Sequence, residues 1–286
     1  MKGRLLATLL VILPFAGLAV DKATIRGDRM ILTQSNQNMI LEGHVKALKH
    51  RTQSRLRAER LELKRDENSE ELSWGRAEGE VLLIESNRLL LTEYATFDDE
   101  VKIAQLQGKV FITTGELFMK GHKLDYNYEE ERGRLVGKNI PVELILHKKD
   151  PDEQGRRLPI QGWADEILID RGGLKITLQG QVRLEDLGDN SEMLANRVEI
   201  FFNEAEELQE LIAVGNFSLK QPKRNSKAGR AHLDYNTKII TLTEDAYVRQ
   251  AQEAAIKGDR IQMHMDSKKG ILKAGRHRPV RIELDR

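Results

Sequence analysis

The feature that most constrains this chain is a phrase spelled eight times: a small residue, two polar or charged ones, then an apolar one. The copies are Gly27-Asp-Arg-Met30, Ala58-Glu-Arg-Leu61, Thr92-Glu-Tyr-Ala95, Gly121-His-Lys-Leu124, Ala164-Asp-Glu-Ile167, Ala195-Asn-Arg-Val198, Arg230-Ala-His-Leu233 and Gly258-Asp-Arg-Ile261. They begin 31, 34, 29, 43, 31, 35 and 28 residues apart; the third and seventh are degenerate and count only by their spacing. A second phrase, Gly-x-(Val or Phe)-x-apolar, follows most copies: GHVKA at 43, GEVLL at 79, GKVFI at 108, GQVRL at 180 and GNFSL at 215. Repetition at this period marks stacked supersecondary units, each of which needs its neighbours to bury its apolar face.

Within each unit the period is two. In AERLELKRD, Leu61 and Leu63 alternate with Arg60, Glu62 and Lys64; in NRVEIFF, Val198, Ile200 and Phe202 alternate with Arg197 and Glu199. Side chains on a strand point alternately to opposite faces, so this pattern predicts strands with one buried and one wet face. Only FFNEAEELQELIAV (201–214) fits a helix as well. Turn-forming clusters such as DENS, DDE and RNSKAG separate the pieces. The expectation is an all-β, solenoid-like stack of short antiparallel strands, about eight repeats of three strands, with the recurring glycine at the start of a strand where a bend or bulge must fit. The 43-residue gap holds KKDPDEQGRRLP, read as a loop or linker over 148–159 between modules at 20–147 and 160–286.

The chain has 46 Lys and Arg against 45 Asp and Glu, a balance that gives no reason to expect nucleic acid as a partner. It has no cysteine, which removes disulfides, thiolate catalysis and cysteine-ligated metals. The first residues, MKGRLLATLLVILPFAGLAV, carry two early cations, an apolar run from Leu5 to Val20 and the small pair Gly17 and Ala19. They read as an export signal over 1–19 cleaved after Ala19, with a retained membrane anchor as the alternative. No Gly-x-Ser-x-Gly elbow, His-Glu-x-x-His pair or phosphate loop occurs, so no enzyme activity, cofactor or metal site is expected. His122 and His232 occupy equivalent polar slots of the repeat, and the acidic runs at 98–100 and 129–131 read as solvated turns. Trp74 and Trp163 read as turn or end-of-groove packing. The basic stretches KHRTQSRLR (49–57) and RHRPVR (276–281) either contact anionic headgroups or keep a β surface soluble.

IKGDRIQMHMDSKKGILKA together with GRAHLDYNTKIITLTEDAYVRQ resembles the periplasmic lipopolysaccharide-transport proteins of the LptA/LptC kind, the OstA-like superfamily. The likeness is closest over 225–285 and extends, with the same grammar, back to about residue 23. It implies a twisted, open β-jelly roll whose apolar face forms a groove, in two modules rather than one. It also implies a role in the periplasm, that of carrying lipopolysaccharide or a related glycolipid between an inner-membrane export complex and an outer-membrane assembly protein.

Under that resemblance the candidate lipid-binding face comprises the inward residues Leu61, Leu63, Val81, Leu83, Val110, Ile112 and Leu124 of the first half. From the second half it comprises Ile167, Ile169, Ile176, Val182, Leu184, Val198, Ile200, Phe217, Leu219, Leu233, Tyr235, Ile261, Met263 and Met265. The flexible thioethers of Met263 and Met265 suit varied apolar partners. Unpaired edge strands invite another chain; Ile25 and Met30 at one end and Val280, Ile282 and Leu284 at the other are the candidates for head-to-tail self-association. Two other readings stay open: a self-assembling structural scaffold without ligand, and a membrane-anchored adaptor like the LptC side of the superfamily.

Overall fold

The computed structural model describes residues 23–33, 38–50, 52–66, 72–86, 88–147, 158–205, 207–250, 255–265, 270–273 and 281–283. The N-terminal signal or anchor, residues 148–157 of the linker, Val280 and Leu284 lie outside them. All regular structure among the described residues is β-strand, and neighbouring strands pair antiparallel. The chain divides into two compact units, Met1–Val142 with Ile169–Gly172, and Glu143–Leu168 with Gly173–Arg286.

The first unit is a meander of β1 (Ala23–Arg26), β2 (Arg29–Thr33), β3 (Asn38–Lys49), β4 (Ser54–Arg65), β5 (Leu72–Glu85), β6 (Arg88–Asp98), β7 (Ile103–Thr114), β8 (Leu117–Asn127) and β9 (Arg132–Val136). After β10 (Val142–Leu146) and the short β11 (Ile160–Ala164) and β12 (Glu166–Asp170), the second unit repeats the plan. It runs through β13 (Lys175–Asp186), β14 (Ser191–Phe202), β15 (Leu208–Gln221), β16 (Arg224–Asp234), β17 (Ile239–Gln250) and β18 (Ala255–His264). It closes with β19 (Gly270–Lys273) and β20 (Arg281–Glu283), both on β18. Residues 201–214, where a helix also fitted, form the end of β14, a turn and the start of β15.

The strands are longer than the pattern led one to expect, and the glycine explains why. It lies inside a strand, at a bulge, and bends the strand without ending it. Gly43, Gly79, Gly108, Gly180 and Gly215 all have φ between 75° and 78°, and the next residue also has positive φ: His44, Glu80, Lys109, Gln181 and Asn216. The registers shift at these points, between Glu42 and Val45, Glu78 and Val81, Gln107 and Val110, Gln179 and Val182, and Val214 and Phe217. Two successive left-handed residues re-aim the chain sharply, and glycine takes the first at little steric cost.

The two repeated phrases meet at this bulge. A Cβ on Gly43 would lie 2.9 Å from the Asp28 Cβ, on Gly79 2.7 Å from that of Glu59, and on Gly108 2.8 Å from that of Glu93. On Gly180 it would lie 2.9 Å from the Asp165 Cβ, and on Gly215 3.1 Å from the Asn196 Cβ. Each of these acids or amides is the second residue of a first-phrase copy, seated over the glycine of the next strand. The degenerate copies follow the same logic. In the third, the buried Thr92 hydroxyl lies within hydrogen-bonding distance of the Gln107 and Gly108 carbonyls, at 2.9 and 3.1 Å. In the seventh, the roles are exchanged between strands: Glu244 and Asp245 carry the positive φ, at 67° and 57°, and Gly229 opposite makes the room, its added Cβ 2.6 Å from that of Glu244.

Alternate residues on both sides of each bulge are buried: Leu56 and Ala58, then Leu61 and Leu63 on β4; Met193 and Ala195, then Val198, Ile200 and Phe202 on β14. A single layer would leave both its faces wet. Within each unit the strands therefore fold over at their bulges so that the two half-sheets cover one another, and the core is the apolar layer between them. A Gly79→Val substitution, with its positive φ and occupied space, should cost about 2 kcal/mol or more in urea unfolding. Gly258→Ala, where nothing lies within 4 Å of the added Cβ, should change stability by less than about 0.5 kcal/mol.

Candidate functional site

The inward rows can be read across the strands of the first unit. One runs Met30, Leu41, Leu61, Ala77, Ala95, Leu106, Leu124, Leu135. On the other side of the bulge a second runs Ala47, Leu56, Leu83, Leu90, Ile112, Met119. Every sequence-expected inward residue except Tyr235 and Met265 is buried, from Leu61, Val110, Leu124, Ile167, Ile176 and Val198 at 0% exposure to Leu219, Leu233 and Met263 at 5%. Tyr235 and Met265 follow the last residues of β16 and β18 and are half-buried at the rim instead, because the alternation that placed them inward ends with the strand. Leu106 and Phe97 in the first unit and Leu178, Leu211 and Leu242 in the second are buried as well; the period-two pattern contains them.

The interior is filled by the protein's own side chains. In the second unit the Leu178 and Leu184 methyl groups would stand 3.4 and 2.6 Å from a Cβ on Gly162, and these two leucines come from opposite sides of the β13 bulge. At the β2 edge the layer is open. Met30 and Leu32 continue the inward rows of Leu41 and Met39 yet are each 53% exposed. Ile25 on β1, opposite Ala47, is half-buried. At the other end Ile282 pairs through its backbone with Ile256.

Folding each strand over brings opposite strand ends together along a seam. In the second unit the Arg224 guanidinium, at the β15–β16 turn, donates to the His264 carbonyl at 3.2 Å and the Met265 carbonyl at 3.3 Å, across the far end of β18. The Tyr235 phenol, at the β16–β17 turn, has its pKa raised by burial and by Asp186 and Asp189 of the β13–β14 turn. The two Arg224 hydrogen bonds latch the rims. In the first unit the Tyr126 hydroxyl lies within the apolar layer without a hydrogen-bond partner, and burial pushes its phenol up to about 12.

Outside, the polar positions pair along and across strands. Arg60 reaches Glu42 at 3.4 Å and Glu62 at 3.6 Å, Arg76 pairs with Glu78, Lys123 with Asp125 at 2.9 Å, and His232 with Glu210 at 3.2 Å. Exposed pairs of this kind add little stability each; they keep the wet face wet. The run at 98–100 is a turn in which the Asp98 carboxylate accepts the Glu100 and Val101 amides. Beside it, Tyr128 and Lys102 hold the Asp99 carboxyl low against the opposing effect of its burial. Trp74 and Trp163 lie on β5 and β11, not in turns, with the Arg183 guanidinium 5.7 Å over the Trp163 ring.

Antiparallel strands that fold over at periodic bulges around an apolar layer define a β-jelly-roll protein. A sequence model described as the LptA/(LptD N-terminal domain) lipopolysaccharide-transport protein matches residues 24–132 and 188–269, more than half of the chain and a part of each unit. The chain belongs to that family. Among solved structures it is similar to LptH of Pseudomonas aeruginosa, the LptA-homologous periplasmic component of a lipopolysaccharide transport device. That likeness has 16% identity and a TM-score of 0.36, and covers 45% of this chain and 82% of that one. No curated protein sequence matches.

The first bulge carries a titratable pair. The His44 ring is 2.9 Å from the Asp28 carboxylate, and this hydrogen bond and charge raise its pKa above the ordinary 6.5. A raised imidazole stabilises the fold while it is protonated: the contribution is complete below about 6.5 and fades as the pH rises through the higher folded value. An NMR titration should find the His44 midpoint above 6.5, and Asp28→Asn should lower it toward the ordinary value.

Proposed function

We propose that this protein binds lipopolysaccharide or a related glycolipid in the periplasm and shields its acyl chains in the apolar layer between the half-sheets. The observation that carries the reading is the continuous inward apolar layer that becomes accessible at the β2 edge, where Met30 and Leu32 stand 53% exposed. Each methylene kept from water is worth about 0.8 kcal/mol, so a chain of a dozen carbons resists crossing water by on the order of ten. Breaking a pair of rim hydrogen bonds such as those of the charged Arg224 costs about 3–6 kcal/mol. The lining side chains exchange one apolar neighbour for another when the half-sheets part. Opening therefore costs less than the tails gain, while the sugars remain outside and wet.

On this reading the chain is two OstA-like modules, 20–147 and 160–286, joined by 148–159 and exported by its N-terminal signal. Its partners are an inner-membrane export complex and an outer-membrane assembly protein. The β1–β2 edge with Ile25 and Met30, and the C-terminal edge with Val280, Ile282 and Leu284, are the surfaces for those partners or for a second copy. The protein transports and does not catalyse.

One observation favours a second reading. An interior buried at most of its inward positions is also what a ligand-free, self-assembling scaffold would have. Photo-crosslinking in living cells separates the two. A crosslinking residue at Leu124 or Met263 should trap lipopolysaccharide, visible as a glycolipid-bearing shifted band. Adducts confined to other copies of the chain would contradict the carrier and support the scaffold.

A further inference from the structure

The outward faces of the first unit's two half-sheets are not alike. On the side of the bulges that holds Glu42, Arg60, Glu78 and Lys123, charges of both signs alternate across the strands. On the other side, two outward rows of β5–β8 are apolar: Leu82, Leu91 and Phe111 in one, Ile84, Leu89 and Phe118 in the other, with Thr113 between the last two. Leu91 is 40% exposed, and the Phe111 and Phe118 rings meet edge to face at 4.3 Å. The same rows continue into cations: Arg57, Lys46 and Arg26 beside Leu82, Arg55 beside Ile84, and Lys120 beyond Phe111. All five are exposed, and no Asp or Glu occupies either row. In the second unit the matching rows contain Glu185 and Glu192 among their cations, with Arg183 bonded to both.

We propose that this face docks on a bilayer surface presenting anionic headgroups. Four strands about 4.8 Å apart make a shallow apolar strip roughly 14 Å wide. A strip of that kind flanked by long cationic side chains matches the layered chemistry of such a surface: apolar groups enter the acyl boundary while Arg and Lys stems lie along it and their heads reach phosphates. A protein partner would need carboxylates matched to five separate cations; a fluid anionic surface needs no such register. The basic stretch at 49–57, which supplies Arg55 and Arg57, thereby gains a role separate from glycolipid carriage.

The absence of cysteine makes a single label unambiguous. In the full chain, Leu91→Cys carrying an environment-sensitive fluorophore should shift to the blue with phosphatidylcholine vesicles containing phosphatidylglycerol, and not with phosphatidylcholine alone. The same label at Gln105, on the outward face across the bulges, should not shift. This comparison separates docking by this face from attachment through the N-terminal apolar segment. Arg55→Glu with Arg57→Glu should raise the vesicle concentration needed about tenfold or more at low salt; Lys46→Glu, with a smaller effect in the same direction, serves if the double variant fails to fold by circular dichroism. No shift at Leu91 while the protein sediments with vesicles, or an equal shift at Gln105, would overturn the proposal. So would a shift that grows with protein concentration without vesicles, which would make the face a contact between copies.

Discussion

The structure depends on one backbone event, repeated: two consecutive residues in the left-handed region within an antiparallel strand. Gly43 with His44, and its counterparts down to Gly215 with Asn216, turn what would be flat two-faced sheets into layers that fold over upon themselves. Without the fold the alternation that begins with Leu61 and Leu63 would present an apolar face to water. The acid or amide of one phrase seated over the glycine of the next strand explains why both phrases recur together. Each needs the other's shape. The exchange between Gly229 and Glu244 shows that the requirement is for one small residue per rung, on either strand.

A layer formed by folding has a property that a barrel lacks. Its backbone hydrogen bonds run between neighbouring strands, while the two halves of any strand are held together chiefly by apolar contact and by rim groups such as Arg224. Separating the halves therefore leaves the strand ladder intact. This gives a physical route for a closed interior to admit a hydrocarbon chain: the latch is local, the ladder persists, and apolar area stays covered by the guest. One edge is consistent with that economy. At the N-terminal edge the strand is split into β1 and β2 around Gly27 and Asp28, and Met30 and Leu32 there leave the inward layer exposed.

Much of this was legible in the sequence because it rests on local physics. Alternation at Val198 and Ile200 predicts burial on one face, and burial follows. The recurring glycine signals a bend. What the sequence hid was long-range. Whether Gly79 begins a strand or bends one depends on Glu59 lying over it, twenty residues away. Tyr235 and Met265 continued an alternation that the strand ends had already stopped. Arg224 carried no signal at all, since its partners His264 and Met265 come near only after the strands fold. The outward apolar rows were equally obscure: Leu82, Leu91 and Phe111 look like ordinary members of alternating strands until their registers align.

The claim that the two halves part to hold acyl chains can be measured across the seam directly. Spin labels at Leu187→Cys and Thr237→Cys, on facing rims of the second unit, report its width by pulsed electron resonance in a chain that has no other cysteine. The distance should be short in the free protein, lengthen when lipopolysaccharide is added and stay short with its delipidated sugar. An unchanged distance in protein that demonstrably holds the intact lipid would contradict that claim.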